Sequence, residues 1–372
     1  MITIKEAKTK KELRDFIKFS FDLYKGNPYW IPPIINDELE SFNKEENPAF
    51  KHAEAYFYLA YRDNMIVGKI AAIVNWQEVN QQLKRKVRFG WFDVIDDIEV
   101  TKALLEKVYE LGRANSLEYV EGPMGFSNLD KVGVLTEGFD QPGTMITWYN
   151  YPYYKEHLEK LGYVKEKEYI ESIFSMRDVD PAPFQKASGL IKQRYGLVPI
   201  NPSTTKEVMP YVDKMFDLFN TAYEKLASFV AVSEEQKEYF KKKYVGLINP
   251  EYIKFIMDKD DNMVAFTIVM PDFSEALKKA KGKLFPFGFI HLLKAKKHSD
   301  NVVFYLIGID PAYQNKGVTA IIFDEFYKVF TKNNIDKCIR TPELEENHAM
   351  HNLWKHFNPV INKRRRTYRK DL

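Results

Sequence analysis

The chain has 372 residues, 45% of them hydrophobic and 29% charged, with a net charge of +3. That composition excludes global disorder, and the length suggests roughly two domains. A single cysteine, Cys338, excludes an intrachain disulfide and a cysteine-rich zinc site.

A charge balance this small does not by itself signal nucleic-acid binding, and no DNA partner is expected. No run reaches the ~18–20 apolar residues of a membrane span, and the first 25 residues lack the apolar core of a signal peptide. The expected location is the cytoplasm.

Residues 2–7 predict a short strand. Leu13, Phe16, Ile17, Ser20, Phe21 and Tyr24 recur at helical spacing, and Asn27-Pro28 and Pro32-Pro33 end that helix. Residues 55–61 and 65–74 predict a strand pair joined by Arg62-Asp63-Asn64. A strand over 87–95 leads into a helix with Val100, Leu104, Leu105, Val108 and Leu111 on one face. A strand over 117–121 breaks at Gly122-Pro123-Met124-Gly125. A short helix over 152–161 and a strand over 163–176 follow. The polar, proline-bearing stretch from Asp178 to Pro183 then predicts a boundary between units 1–178 and 179–372.

The second half repeats the order. It predicts a strand over 197–200, helices over 204–223 and 233–244, and strands over 252–257 and 263–270. A helical insertion over 272–300 precedes a strand over 302–309, a helix over 318–330 and a strand over 336–340. A helix over 345–356 and a strand over 360–370 close the chain. The shared order β-α-β-β-β-α-β-α-β suggests an internal duplication.

The stretch from Leu306 to Ala320 carries the most chemistry. An apolar strand runs into a loop with Gln314, Asn315, Lys316 and Gly317, free of acids after Asp310. The loop opens a helix with Val318, Ile321, Ile322, Phe326, Val329 and Phe330 on one face. Free backbone N–H groups at a helix start, a glycine for close approach and the helix dipole suit an anion such as a pyrophosphate. A glycine in a strand-loop-helix connection is weak evidence alone.

Ile309, Pro311, Tyr313, Gln314 and Gly317 stand in the register of the acyl-CoA motif of the GNAT N-acetyltransferase superfamily, which this stretch resembles. Thr319 stands where the family has Gly or Ala. Asn27-Pro28-Tyr29-Trp30-Ile31-Pro32-Pro33, Gly122-Pro123-Met124-Gly125-Phe126-Ser127 and Gly138-Phe139-Asp140-Gln141-Pro142 resemble a long bacterial branch with two tandem GNAT-like domains.

The resemblance implies an α/β protein with tandem GNAT folds, each a mixed, mostly antiparallel sheet flanked by helices. It implies N-acyl transfer from acetyl-CoA or another acyl-CoA to a small-molecule or peptide amine, by direct attack in a ternary complex. Ile307, Gly308 and Ile309 would face the pantetheine arm. Gln314, Asn315, Lys316, Gly317, Val318, Thr319 and Ala320 would hold the pyrophosphate, and Asn347 would touch the cofactor.

The family's usual acid, a tyrosine seven residues after that asparagine, is Trp354 here, and an indole N–H is not a usable acid. Tyr305, Tyr313 and Tyr368 are substitutes by residue type. The strand glutamate of the family has no counterpart in Lys337-Cys338-Ile339-Arg340. Glu343, Glu345 and Glu346 precede or open the next helix and read as ordinary capping acids, or one of them, Glu343 among the candidates, as the base; His351 is a further candidate base. His348, His351 and His356 share one predicted helix without a second ligand cluster, so no metal is expected.

The first half reads Asp96, Asp97 and Glu99 at the position of the phosphate loop. Acids there satisfy the helix start and repel a pyrophosphate, so this unit is expected to have lost CoA binding. The lysine-rich insertion reads as a packed arm or lid, with a membrane-surface element as the alternative. The basic segment 363–370 reads as an edge strand blunted by charge, or as a patch for a nucleic-acid-linked acceptor. Two other functions stay open: transfer from aminoacyl-tRNA, which would bring RNA as partner, and a non-catalytic CoA sensor.

Overall fold

A computed structural model describes residues 1–127, 129–226 and 229–372, with only the backbone described at 349. Thirteen strands join one sheet among these residues. The first half supplies β1 (Ile2–Glu6), β2 (Ala53–Arg62), β3 (Met65–Asn75), β4 (Lys86–Val94), β5 (Tyr119–Gly122), β6 (Val134–Glu137) and β7 (Val164–Ser175). The second supplies β8 (Val198–Ile200), β9 (Ile253–Met257), β10 (Met263–Pro271), β11 (Asn301–Ile309), β12 (Lys337–Leu344) and β13 (Val360–Asp371).

The order is β1-β2-β3-β4-β5-β13-β7-β12-β11-β10-β9-β8, with β6 also on β13. Each half runs antiparallel until one parallel pair, β4 with β5 and β11 with β12. This repeated arrangement matches the duplicated pattern of the sequence. Helices cover the faces because their apolar stripes need burial. Helix Ile98–Ala114 buries Val100, Leu104, Leu105 and Val108, and helix Thr319–Lys332 buries Ile321, Ile322, Phe326 and Phe330.

The middle of the sheet corrects one expectation. β13 is not an edge strand. It pairs with β5 on one side and along its length with β7 on the other. β7 in turn pairs with β12. The last strand of each half is thus inserted between two strands of the other half.

Alternation along β13 sorts its charges. Lys363 and Arg365 point into the core, and both pair with the buried Glu171 of β7, Lys363 at 2.7 Å. Arg364 and Arg366 point the other way, to Glu345 at 2.6 Å and Glu168 at 2.8 Å. These cations are engaged by acids distant in sequence, so the segment is not a free basic patch.

Candidate functional site

β11 and β12 pair in parallel from Asn301↔Lys337 to Phe304↔Arg340 and then part. β11 stays with β10 as far as Ala265↔Ile309, while β12 stays with β7 as far as Leu344↔Tyr169. A bulge helps β11 turn away: Val269 faces Phe304 and Ile268 faces Leu306, which leaves Tyr305 as the extra residue. Ile307, Gly308 and Ile309 lie on the diverging end. A Cβ on Gly308 would sit 2.2 Å from the Phe266 ring, so only glycine fits against that neighbour.

The loop after β11 is built by its own sequence. Asp310 caps the short turn Pro311–Tyr313 by accepting from the Ala312 amide at 2.7 Å. Asn315 and Gly317 then take φ of +61° and +76°. That left-handed region suits Asn and Gly. No backbone carbonyl is set against the N–H of Asn315, Gly317, Val318 or Thr319 among the described residues. Gln314, Asn315, Lys316 and Gly317 are exposed, Val318 is buried, and Thr319 and Ala320 form the first helical turn. The Lys316 ammonium lies 4.9 Å from the Tyr313 ring centre and 5.4 Å from that of Tyr195. Tyr313 therefore packs against the loop after β11.

A second cluster forms where β12 leaves β11. β12 extends past Arg340 to Leu344, so Glu343 lies on the strand and not on the helix. Its carboxylate accepts from the Arg340 guanidinium, and from the indole N–H of Trp354 at 3.1 Å. Arg340 is buried, donates to Ser172 Oγ at 3.0 Å and stacks 4.9 Å from the Trp354 ring centre. His351 holds Nδ1 3.8 Å from Glu343. Its Nε2 meets the Leu344 and Glu345 carbonyls at 3.1 and 3.0 Å, which makes Nε2 the protonated nitrogen. Asn347 caps the helix His348–Trp354 through the Met350 amide. Glu345 is tied to Arg364 and Glu346 to Lys167.

Two participants escaped the sequence reading. Arg340 was visible only as a second cation, after Lys337, in a short strand. Tyr223, at the end of helix Val212–Tyr223, donates its hydroxyl to the Ile307 carbonyl at 3.0 Å. Burial, with a smaller push from the Glu343 charge, raises its pKa to about 12. Tyr223 thus links the diverging strand to the field of Glu343. Tyr305 gives its hydroxyl to the Leu129 carbonyl, and Tyr368 gives its own to Glu159.

The first half differs at the corresponding places. Asp97 caps helix Ile98–Ala114 through the Glu99 amide at 2.9 Å and pairs with Arg62 at 2.6 Å. The Arg62 hydrogen bond holds the Asp97 carboxyl below its usual range. β4 and β5 part after Arg88↔Glu121, but the Met124 amide bonds back to the Phe89 carbonyl at 2.8 Å. Behind them, Asp93 accepts from Ser20 and Tyr24, each at 2.7 Å, and pairs with Lys69 at 3.2 Å. The backbone bond from Met124 to Phe89 thus bridges what in the second half is a parting of strands. No metal-binding group of three or more His, Cys, Asp or Glu occurs among the described residues.

No family model matches the chain. Protein YghO of Escherichia coli is 26% identical over 370 residues, covering 98% of this chain and 94% of that one. The bacterial ceramide synthase of Caulobacter vibrioides is 25% identical over 297 residues, covering 78% of this chain and 76% of that one. Among solved structures, a tandem GNAT protein from the clavulanic acid biosynthesis pathway aligns with a TM-score of 0.57 at 10% identity. It covers all of this chain and 98% of that one. A GCN5-related N-acetyltransferase from Sphaerobacter thermophilus aligns at 0.54 and 9% identity, over all of this chain and 95% of that one. The interleaved sheet, the parted strands and these alignments give the conclusion that the chain has a tandem GNAT fold.

Proposed function

We propose that the chain is an acyl-CoA-dependent N-acyltransferase whose working site is in the second half. The carrying observation is the coincidence there of strands that part after Phe304 and Arg340 with an acid-free helix start whose amides are unengaged. In this reading residues 314–320 hold the pyrophosphate, and Ile307 to Ile309 line the pantetheine arm. The units 1–178 and 179–372 contribute seven and six strands to the shared sheet, and the first serves as scaffold.

The acceptor nitrogen attacks the thioester carbonyl carbon, the new C–N bond forms, and the C–S bond breaks. The proton from nitrogen leaves to Glu343, directly or through water. The departing thiolate takes a proton from Tyr223, which burial keeps protonated at neutral pH. Glu343 then gives its proton to solvent and Tyr223 regains one from it. Positioning supplies much of the rate. Arg340 and Trp354 hold Glu343, and Tyr313 flanks the loop of residues 314–320.

A ceramide is the amide of a fatty acid with a long-chain amino alcohol. The relative of that name favours a long-chain amine as acceptor and a fatty acyl-CoA as donor. Calorimetry with CoA, acetyl-CoA and a long-chain acyl-CoA tests the site, and thiol release on adding amines tests the reaction. One CoA per chain, with release on adding a long-chain amine, is expected. Two equal sites or none overturns the reading. One site with no release for any amine leaves a CoA sensor, and transfer only from charged tRNA leaves the tRNA-dependent reaction.

A further inference from the structure

The insertion between β10 and β11 folds as two helices, Ser274–Ala280 and Gly288–His298, joined by an aromatic turn. Its base is anchored. Ser274, Ala276, Leu277 and Ala280 are buried, and Leu284, Leu292 and Ala295 pack on the core. The Gly282 carbonyl accepts from the Ile35 amide at 3.0 Å, and Lys296 donates to the Gly246 carbonyl at 2.7 Å. The expectation of a packed arm describes this base.

The outer side has a different composition. Phe285 is 75% exposed, Phe287 69%, Leu293 54% and Ile290 50%, and Phe289 is also exposed. On helix Gly288–His298, Ile290, Leu293, Lys294 and Lys297 are spaced i, i+3, i+4 and i+7, which places them on one outward stripe. Between Glu275 and Asp300 there are seven lysines and no acid. Lys279, Lys281, Lys283, Lys294 and Lys297 are exposed and have no acidic partner among the described residues. Exposing this many large apolar groups together is costly unless something covers them.

We propose that this outer side docks the protein on an anionic lipid surface. Phe285, Phe287, Phe289, Ile290 and Leu293 enter the boundary between headgroups and acyl chains. The surrounding lysines lie at the headgroup level, where their charge opposes the lipid phosphates. Charge complementarity selects the partner: a single-sign rim around an apolar centre fits an anionic bilayer. It does not favour a second copy of this chain, whose own lysines would face these. Nor does it favour RNA, since aliphatic Ile290 and Leu293 offer no stacking face. A peripheral site fits a protein whose described residues include no helix long and apolar enough to cross a membrane. The proposal rests on this surface alone and stands apart from the acyl-transfer reading.

The test is co-sedimentation of the full chain with phosphatidylcholine vesicles, with and without phosphatidylglycerol. Binding is expected with the anionic vesicles at low salt and should weaken as salt screens the lysines. The variant F285S/F287S/I290S should lose at least ~10-fold in partitioning. The variant K281Q/K283Q/K294Q/K297Q should lose roughly fivefold for each lysine that reaches the surface. All altered side chains are exposed, so melting curves and CoA affinity should match the parent. Absence of anionic-vesicle binding by the parent overturns the proposal. So does undiminished binding by both variants, or a dimer or RNA complex that F285S/F287S/I290S abolishes while vesicles are ignored.

Discussion

The indole N–H of Trp354 points at Glu343, 3.1 Å from its carboxylate oxygen, and Arg340 holds that carboxylate from another side. At the position where the resemblance expects a tyrosine, Trp354 thus orients a carboxylate. Trp354→Phe removes this donor and leaves space among Phe304, Phe323 and Phe357. The expected loss is ~1–3 kcal/mol of stability, read by denaturant titration, with CoA affinity unchanged. Glu343→Gln should keep CoA affinity but lower kcat by ~100-fold if Glu343 takes the amine proton. Equal kcat for Glu343→Gln and the parent would remove it from the reaction.

Tyr223→Phe separates acid catalysis from binding. The lost hydroxyl leaves the Ile307 carbonyl without this donor, at a cost of ~1 kcal/mol in folding. Turnover should fall ~10- to 100-fold while CoA binding is retained. A thioester with a better leaving thiol should narrow the gap between variant and parent. No narrowing would assign Tyr223 to shaping β11.

Lys254 on β9 gives stability a signature at high pH. Burial lowers its pKa to about 8, although Glu325 and Glu251 oppose the shift. The folded state therefore holds fewer protons than the unfolded state between about 8 and the ordinary lysine value near ~10.4. Below that window the buried charge is a full penalty. As pH rises through it, stability should increase, by on the order of 3 kcal/mol from this group. Lys254→Met should raise stability at neutral pH and flatten that rise, as pH-dependent denaturant midpoints would record.

Glu171 holds the two cations of β13. Burial pushes its pKa up, but the Arg365 and Lys363 charges outweigh burial and keep it below the usual carboxylate range. Its contribution is present above the ordinary glutamate value and lost as pH falls through the lowered one. Glu171→Gln strands two buried cations and should cost ~3–5 kcal/mol. Because β13 joins both halves, the loss should appear as one cooperative melting shift. Two separate transitions would mean that the halves unfold independently.

The strands β2, β3, β4, β10 and β11 were legible because each couples apolar periodicity to a turn or helix signal, such as Arg62-Asp63-Asn64 or Asp310-Pro311. The helix Ile35–Phe42 was not, since it starts two residues after Pro32-Pro33, which reads as a break. β6 has four residues, too few for a period. The place of β13 was invisible for a different reason. Lys363 and Arg365 look solvated until Glu171, nearly two hundred residues earlier, is brought opposite them. The shape of the loop after β11 was readable because its residues are contiguous. Glu343 and Trp354 were also singled out, but their meeting with Tyr223 and Arg340 was not legible, because three elements assemble that cluster.

Gly317 offers the sharpest test of the cofactor site. Its φ of +76° penalises most side chains, and a Cβ there would come within 2.6 Å of Ile191 Cδ1. Ile191 is the movable end of a side chain, so the contact can relax. Asn and Asp tolerate the left-handed region best among non-glycine residues and have nearly the same shape. Gly317→Asn and Gly317→Asp therefore share strain and bulk and differ in charge. Both should fold, at a cost of ~1 kcal/mol each. If the unengaged amides of Asn315, Gly317 and Val318 receive a pyrophosphate, the aspartate adds a like charge at that anion. It should bind CoA roughly 10- to 100-fold more weakly than the asparagine variant, about 1.4–2.8 kcal/mol. Added salt should shrink that ratio. Dephosphorylated pantetheine, which lacks the pyrophosphate, should not distinguish the two variants. Equal CoA affinity for the folded pair would place the nucleotide elsewhere and remove the main support for acyl transfer at this loop.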